Sequence, residues 1–215
     1  TKWQCANVDN STMNAYRCTF DCTVIGGSNS AGLQYFENCI ITGNNDFKGN
    51  FMRFSNCQLG TVAQKQKLEP AGTNTATEIL FEDSFVNVDI EAWDNYTLRR
   101  CYGGIDARQR AGVGTFTVEN CVVTLGSNLM FHGADFGSSN KHVIRNNIIS
   151  GSINVGQYPS GTAAYVVAAG SEYFNNILHD GAAYDADLIA ADTGGTVVVG
   201  TLTSDPLIGV ANTLD

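Results

Sequence analysis

Near copies of one six-residue stretch recur along the chain, and this recurrence restricts the possible folds more than any other feature of the sequence. The clearest copy is Phe36-Glu37-Asn38-Cys39-Ile40-Ile41. The others begin at Thr19, Phe54, Phe81, Leu98, Val118, Ile144 and Tyr173. The fourth position then reads Cys22, Cys39, Cys57, Ser84, Cys101, Cys121, Asn147 and Asn176, at steps of 17, 18, 27, 17, 20, 26 and 29 residues. A short repeat with occasional lengthening is the mark of a solenoid, in which each unit buries its apolar face against the next.

Within each copy an apolar residue comes first, a polar one second, Asn or Asp usually third, a small residue fourth and usually an apolar one sixth. This pattern predicts strand, bend, strand, because side chains alternate between faces along a strand and Asn and Asp tolerate the left-handed backbone of a sharp bend. No helical period fits. A step of 17 or 18 residues has room for about three short strands, and stacked copies would lie about 4.8 Å apart. The expected fold is all-β, a single-stranded parallel coil of roughly eight to ten turns. The fourth position would form one interior file. Asn there must have its amide bonded along the stack, whereas Cys is expected to fill the space as a small, soft hydrophobe.

Ile144-Arg145-Asn146-Asn147-Ile148-Ile149 resembles the Ile-x-Asn-Asn-x-Ile repeats of the right-handed parallel β-helix superfamily, which includes pectate-lyase-like enzymes and phage-spike-like proteins. The resemblance covers roughly Thr19 to Leu178 and implies a right-handed coil. It does not select a function, since lyases, hydrolases, viral spikes and adhesins share this fold.

The 215 residues read as one domain: an irregular cap over 1–18, regular repeats over 19–178 and looser turns over 179–215. Apolar residues make up 43% of the chain, enough for a core, and no segment has the length and apolarity of a membrane span. Acidic residues exceed basic ones by 21 − 12 = 9, which argues against nonspecific binding of nucleic acid or anionic membranes. No leader-like stretch precedes Thr1, so a signal peptide is expected to be absent or already removed. Five of the seven cysteines fall in the file. Stacked free thiols suit assembly in a reducing cytoplasm, and Cys5 and Cys18, outside the file, are the pair left for any disulfide. The sequons at Asn10 and Asn95 would matter only in a eukaryotic secretory route.

Excess length falls in Gln64 to Asn74, His132 to Asn140 and Gly156 to Thr162, read as surface loops that build one wall if they leave the same bend. Leu188-Ile189-Ala190 and Thr196 to Val199 look like final strands, and Asp205-Pro206-Leu207 resembles the tail of many secreted β-helix repeat proteins.

Aligning Ser84 with Cys101 puts Asn87 beside Gly104, Asp89 beside Asp106 and Glu91 beside Arg108. Carboxylates about 4.8 Å apart should raise one pKa unless a cation compensates, a part expected of Arg108 and Arg110. In enzymes of the resembled superfamily, such outward acids bind Ca²⁺ with an acidic sugar or cleave a glycosidic bond. That reading makes Asp89, Asp106 and Arg108 catalytic, with Glu91, Arg99, Arg100 and Arg110 binding. The simpler reading, a solvated charge ladder, is preferred. Lys65 and Lys67 read as loop solubility. His132, His142 and His179 lack metal-ligand spacing. Tyr35, Phe47, Phe51, Tyr96, Tyr102 and Phe116 could form a sugar track, but core or loop anchors fit most of them better.

The expectation is therefore a non-enzymatic structural or recognition module without a cofactor. It would be a virion component (capsid decoration, fibre or spike domain) or an adhesin, located on a virion or extracellular surface. Its partners would be other surface proteins, a glycan or further copies of itself, a trimer being what the resemblance implies. The alternative is a polysaccharide lyase or glycoside hydrolase acting on an acidic polysaccharide, with Ca²⁺ as the ion such a site would take.

Overall fold

The structure is a computed structural model. It describes residues 2–3, 12–21, 24–25, 33–43, 46–70, 78–93, 95–109, 114–124, 128–130, 141–150, 154–155, 172–179 and 183–184. Cys5, Cys22, Arg110, His132, the stretches 131–140 and 156–162 and the C-terminal runs from Leu188 onward lie outside the described residues.

One backbone position per repeat sets the architecture. Arg17, Asn38, Asn56, Asp83, Arg100, Asn120, Asn146 and Asn175 all have φ between 51 and 57°, the left-handed region that costs most side chains about 1–2 kcal/mol. Six of these residues are Asn or Asp, whose short polar side chains suit that region. Each bend ends a strand of one sheet and starts a strand of the other, as between Phe51–Ser55 and Gln58–Leu59. The bends remain bonded to the next repeat, with the N–H of Asn38 donating to the Ser55 carbonyl (3.0 Å) and that of Asn56 to Glu82 (3.0 Å). Asn120→Ala should therefore lose about 1–2 kcal/mol in urea unfolding, while Asn120→Gly stays near wild type.

Every pairing between the named strands is parallel, and the described residues contain no helix. One sheet has eight strands in chain order: Met13–Tyr16, Leu33–Glu37, Phe51–Ser55, Glu78–Glu82, Asn95–Arg99, Thr115–Glu119, Lys141–Arg145 and Glu172–Phe174. The other has 15 strands. Its main path runs from Lys2–Trp3 through Ile40–Ile41 to Ile177–His179. Phe85–Trp93 and Tyr102–Gln109 are the long members of that path. They pair with short strands near the bend and, further along, with Gln66–Pro70 on one side and Asn128–Met130 on the other.

The register corrects three expectations. Ala15 pairs with Phe36 and Thr19 with Ile40, so the first copy is Ala15 to Phe20 and its fourth residue is Cys18, not Cys22. Strand pairing already includes Lys2–Trp3 and Met13–Tyr16, within the segment expected to be an irregular cap. Gln66–Pro70, expected in a loop, is a strand between Asp46–Gly49 and Phe85–Trp93.

The core lies between the sheets. Phe36, Phe54 and Phe81 stack with centroids 4.8 and 5.1 Å apart and rings 9° from parallel, and Phe47 of the other sheet meets Phe36 and Phe54 edge-on. A second column runs through Met52, Ile79, Tyr96, Phe116 and His142. Phe47, Tyr96 and Phe116 are buried core residues, as preferred from sequence, whereas Tyr102 is 42% exposed.

His142 is 2% exposed and meets the Phe116 ring edge-on. Burial lowers its pKa to about 3. Because the folded value lies below the ordinary 6.5, the stability this gives is complete above pH 6.5 and is lost as pH falls from 6.5 toward 3. At about 1.4 kcal/mol per unit the loss is on the order of 4–5 kcal/mol. His142→Leu should flatten this part of the stability profile, read as the difference between wild-type and variant unfolding curves across that range.

Candidate functional site

The two long strands carry the acids identified from sequence in the expected register: Asn87 pairs with Gly104, Asp89 with Asp106 and Glu91 with Arg108. On the other side of Phe85–Trp93, Lys67 pairs with Asp89, so Lys67, Asp89 and Asp106 occupy one register column across three strands. Lys65 Nζ pairs with Asp106 Oδ2, while the Arg108 side chain and Arg110, expected to compensate the acids, lie outside what the structure describes. The sequence reads Lys65 and Lys67 as loop solubility in preference to a phosphate site, and gives them no part beside these acids.

A tight loop brings Lys65 there. Gly60 has φ +83°, and a Cβ on it would lie 2.5 Å from the Gln64 carbonyl oxygen and 2.8 Å from that of Asn87, so only glycine fits. The N–H of Thr61 donates to the Gln64 carbonyl (3.0 Å) and that of Gln64 donates back to Thr61 (3.2 Å), closing the loop. Asn87, which is buried, pins it by donating from Nδ2 to the Thr61 carbonyl (2.7 Å). The Lys65 side chain is 38% exposed, so this pair is a partly solvated contact worth about 0–1 kcal/mol. Among the described residues no three His, Cys, Asp or Glu side chains gather as a metal site.

Arg99 and Arg100 are not part of this site. Arg99 ends a strand of the eight-stranded sheet and joins an ionic ladder down its outer side. It pairs with Glu82 (3.2 Å) and Glu119 (3.5 Å), Arg53 also pairs with Glu82 (2.9 Å), and Arg145 links Glu119 (2.8 Å) to Glu172 (3.0 Å). Arg100 sits at the bend itself and grips Asp83 with two bonds of 2.6 and 2.8 Å, which hold the Asp83 carboxyl below the usual carboxylate range. This pair takes the place that Asn56 and Asn38, or Asn175 and Asn146, fill by bonding amide to amide.

The interior file is continuous, and its chemistry differs from the expectation for cysteine. The Cys39 N–H donates to Cys57 Sγ (3.4 Å), the Cys57 N–H to Ser84 Oγ (3.0 Å), the Cys101 N–H to Cys121 Sγ (3.4 Å), the Cys121 N–H to Asn147 Oδ1 (2.9 Å) and the Asn147 N–H to Asn176 Oδ1 (3.1 Å). In return, Cys57 Sγ lies 3.4 Å from the Phe36 carbonyl, and Asn147 Nδ2 donates to Val118 (2.9 Å). Thiol, hydroxyl and amide thus share one job, accepting an N–H from the preceding copy; the thiol of Cys57 and the amide of Asn147 also reach a carbonyl of that copy, while the Ser84 hydroxyl donates to Glu82 of its own (2.7 Å). The cysteines are polar members of the file as well as space-fillers. The hydrogen bond shared with Cys39, followed by burial, pushes the Cys57 thiol up, and Cys121 and burial do the same to Cys101. Cys18, which the sequence left with Cys5 as the pair for any disulfide, is a free thiol at the start of the file.

No family model, curated protein or solved structure matches the chain. None of the described helices is long and apolar enough to cross a membrane, since none is present.

Proposed function

We propose that the chain is a right-handed parallel β-helix that acts as a rigid structural and recognition module, without catalysis, on a virion or extracellular surface. The single observation that carries this reading is how the outward charges are placed. Arg53, Glu82, Arg99, Glu119, Arg145 and Glu172 pair across successive strands, and Lys65 pairs with Asp106. Side chains arranged in this way hold strands in register. The alternation of the chain between two parallel sheets, each strand bonded to those one repeat before and after, supports the coil. The net charge of −9 favours proteins, glycans or further copies over nucleic acid as partners. A trimer is the assembly this reading adopts.

A second reading, a polysaccharide lyase or glycoside hydrolase, is favoured by one observation. Asp89 and Asp106 stand side by side on the two longest strands of their sheet, with lysines from Gln66–Pro70 and its preceding loop close by. In that case Asp89 and Asp106 act as acid and base or as Ca²⁺ ligands, Arg108 steadies a sugar carboxylate, and Glu91 and Arg110 take the part of substrate-binding residues.

Incubation with a panel of acidic polysaccharides, with and without Ca²⁺, separates the two. The expected result is no new reducing ends and no unsaturated uronate absorbance, together with a multiple of the 23.0 kDa chain mass in light scattering. Turnover that disappears in both Asp89→Asn and Asp106→Asn would establish the enzyme instead.

A further inference from the structure

The cysteines of the file occur in runs. Cys18, Cys39 and Cys57 follow one another on neighbouring copies, and Cys101 and Cys121 form a separate pair with Ser84 before it and Asn147 after it. All five thiols have the same local geometry. Each Sγ lies 3.3 or 3.4 Å from the carbonyl two residues earlier: Tyr16, Glu37, Ser55, Arg99 and Glu119 in turn. Sulfurs held alike on in-register parallel strands repeat at the strand spacing, about 4.8 Å.

That spacing is wrong for a disulfide. A disulfide needs Cβ atoms about 3.5–4.5 Å apart and sulfurs about 2.05 Å apart, whereas in-register parallel strands keep their Cβ vectors parallel and a full strand spacing apart. It does match two collinear metal–thiolate bonds. At about 2.3 Å each, these span about 4.6 Å. Soft thiolate ligands select soft ions.

We propose that Cys39 with Cys57, and Cys101 with Cys121, each form a buried two-sulfur site for a soft, linearly coordinated d¹⁰ cation of the Cu⁺, Ag⁺ and Hg²⁺ class. Binding breaks two S–H bonds, forms two metal–sulfur bonds and releases two protons to solvent. No oxidant or reductant is needed. In each pair one sulfur keeps a backbone donor after losing its proton, the Cys39 N–H for Cys57 and the Cys101 N–H for Cys121, and the metal has to displace the protons that the partner thiol and burial hold on Cys57 and Cys101. With Hg²⁺ the complex is neutral, so it leaves no charge in a site where all four residues are at most 4% exposed. Zn²⁺, which takes four ligands, does not suit these sites, because among the described residues no group of three His, Cys, Asp or Glu side chains is placed to hold a metal ion.

The test uses the whole chain, reduced, with its accessible thiols alkylated in the native state and then incubated with HgCl₂. Native mass spectrometry should find two ions per chain, X-ray absorption should find two sulfurs around each ion, and ZnCl₂ in place of HgCl₂ should give none. Cys57→Ser and Cys121→Ser should each remove one ion. Serine already occupies the file at Ser84, and a melting curve for each variant verifies folding. Uptake unchanged by both substitutions, one sulfur per ion, or uptake that begins only at the unfolding transition would overturn the proposal. In-register thiols also imply that oxidation leaves these four cysteines unbridged to one another, and a Cys39–Cys57 or Cys101–Cys121 disulfide in a peptide map would refute the geometry behind the site.

Discussion

Phe54→Ala will be among the most damaging single substitutions in the chain, lowering the free energy of unfolding by about 4–5 kcal/mol in urea titration, the upper part of the range for a buried Phe-to-Ala change. Phe54 is fully buried between Phe36 and Phe81, 4.8 and 5.1 Å away with nearly parallel rings, and Phe47 closes the site edge-on at 5.7 Å. Truncation removes the transfer energy of the ring and also two stacked contacts and one edge contact, each worth about 0.5–1.5 kcal/mol beyond area. The site cannot collapse well. Its neighbours above and below are held at the strand spacing by backbone hydrogen bonds, so the cavity persists. Phe54→Leu, which keeps most of the volume, should cost much less than Phe54→Ala. A loss below about 1.5 kcal/mol for alanine would mean that the ring column is not the centre of the core.

Asn147→Leu will come close to it, at about 3–5 kcal/mol, although the replacement is apolar and the site is buried. Asn147 accepts the Cys121 N–H and donates to the Val118 carbonyl and to Asn176 Oδ1. Leucine satisfies none of these, and each buried group left without a partner costs about 1–3 kcal/mol. Asn147→Cys is the informative comparison. At Cys121 the structure already places a thiol that accepts the preceding copy's N–H and lies 3.5 Å from the Leu98 carbonyl, the relation Asn147 has to Val118. Cysteine at 147 should therefore recover most of the loss despite its smaller size. If leucine were the better tolerated of the two, the file would be acting as hydrophobic filling, and the account of its hydrogen bonds would fail.

Much of this was legible in the residues. The third position of the repeat marks the left-handed bend because Asn and Asp tolerate it, and six of the eight bends carry one or the other. The two that carry Arg show the limit of that rule. At Arg17 the motif pointed instead to Asp21, which stands before Cys22 as Asn38 stands before Cys39. Strand pairing settled the matter: Met13–Tyr16 aligned with Leu33–Glu37 puts the bend at Arg17 and Cys18 in the file. The pairing of Asp89 with Asp106 could be read from repeat spacing alone, because in-register parallel strands convert sequence offset directly into neighbourhood. Lys65 could not be found that way. It lies 41 residues from Asp106 and reaches it through a loop whose path depends on Gly60, Thr61, Gln64 and Asn87 together.

What the amino-acid sequence determined by itself was therefore periodic: the alternation of faces, the place of most bends, the interior file from Cys39 to Asn176 and the register of the two long strands. Each of these follows from a local preference repeated at a fixed step, which one chain segment expresses without knowing its distant neighbours. Only the tertiary structure decided that Lys65 meets Asp106, that Arg99 belongs to the opposite sheet and Arg100 to the bend, and that thiols share the polar work of the file. Those outcomes rest on contacts between side chains whose separation in sequence carries no signal, and they exist only once the strands have stacked.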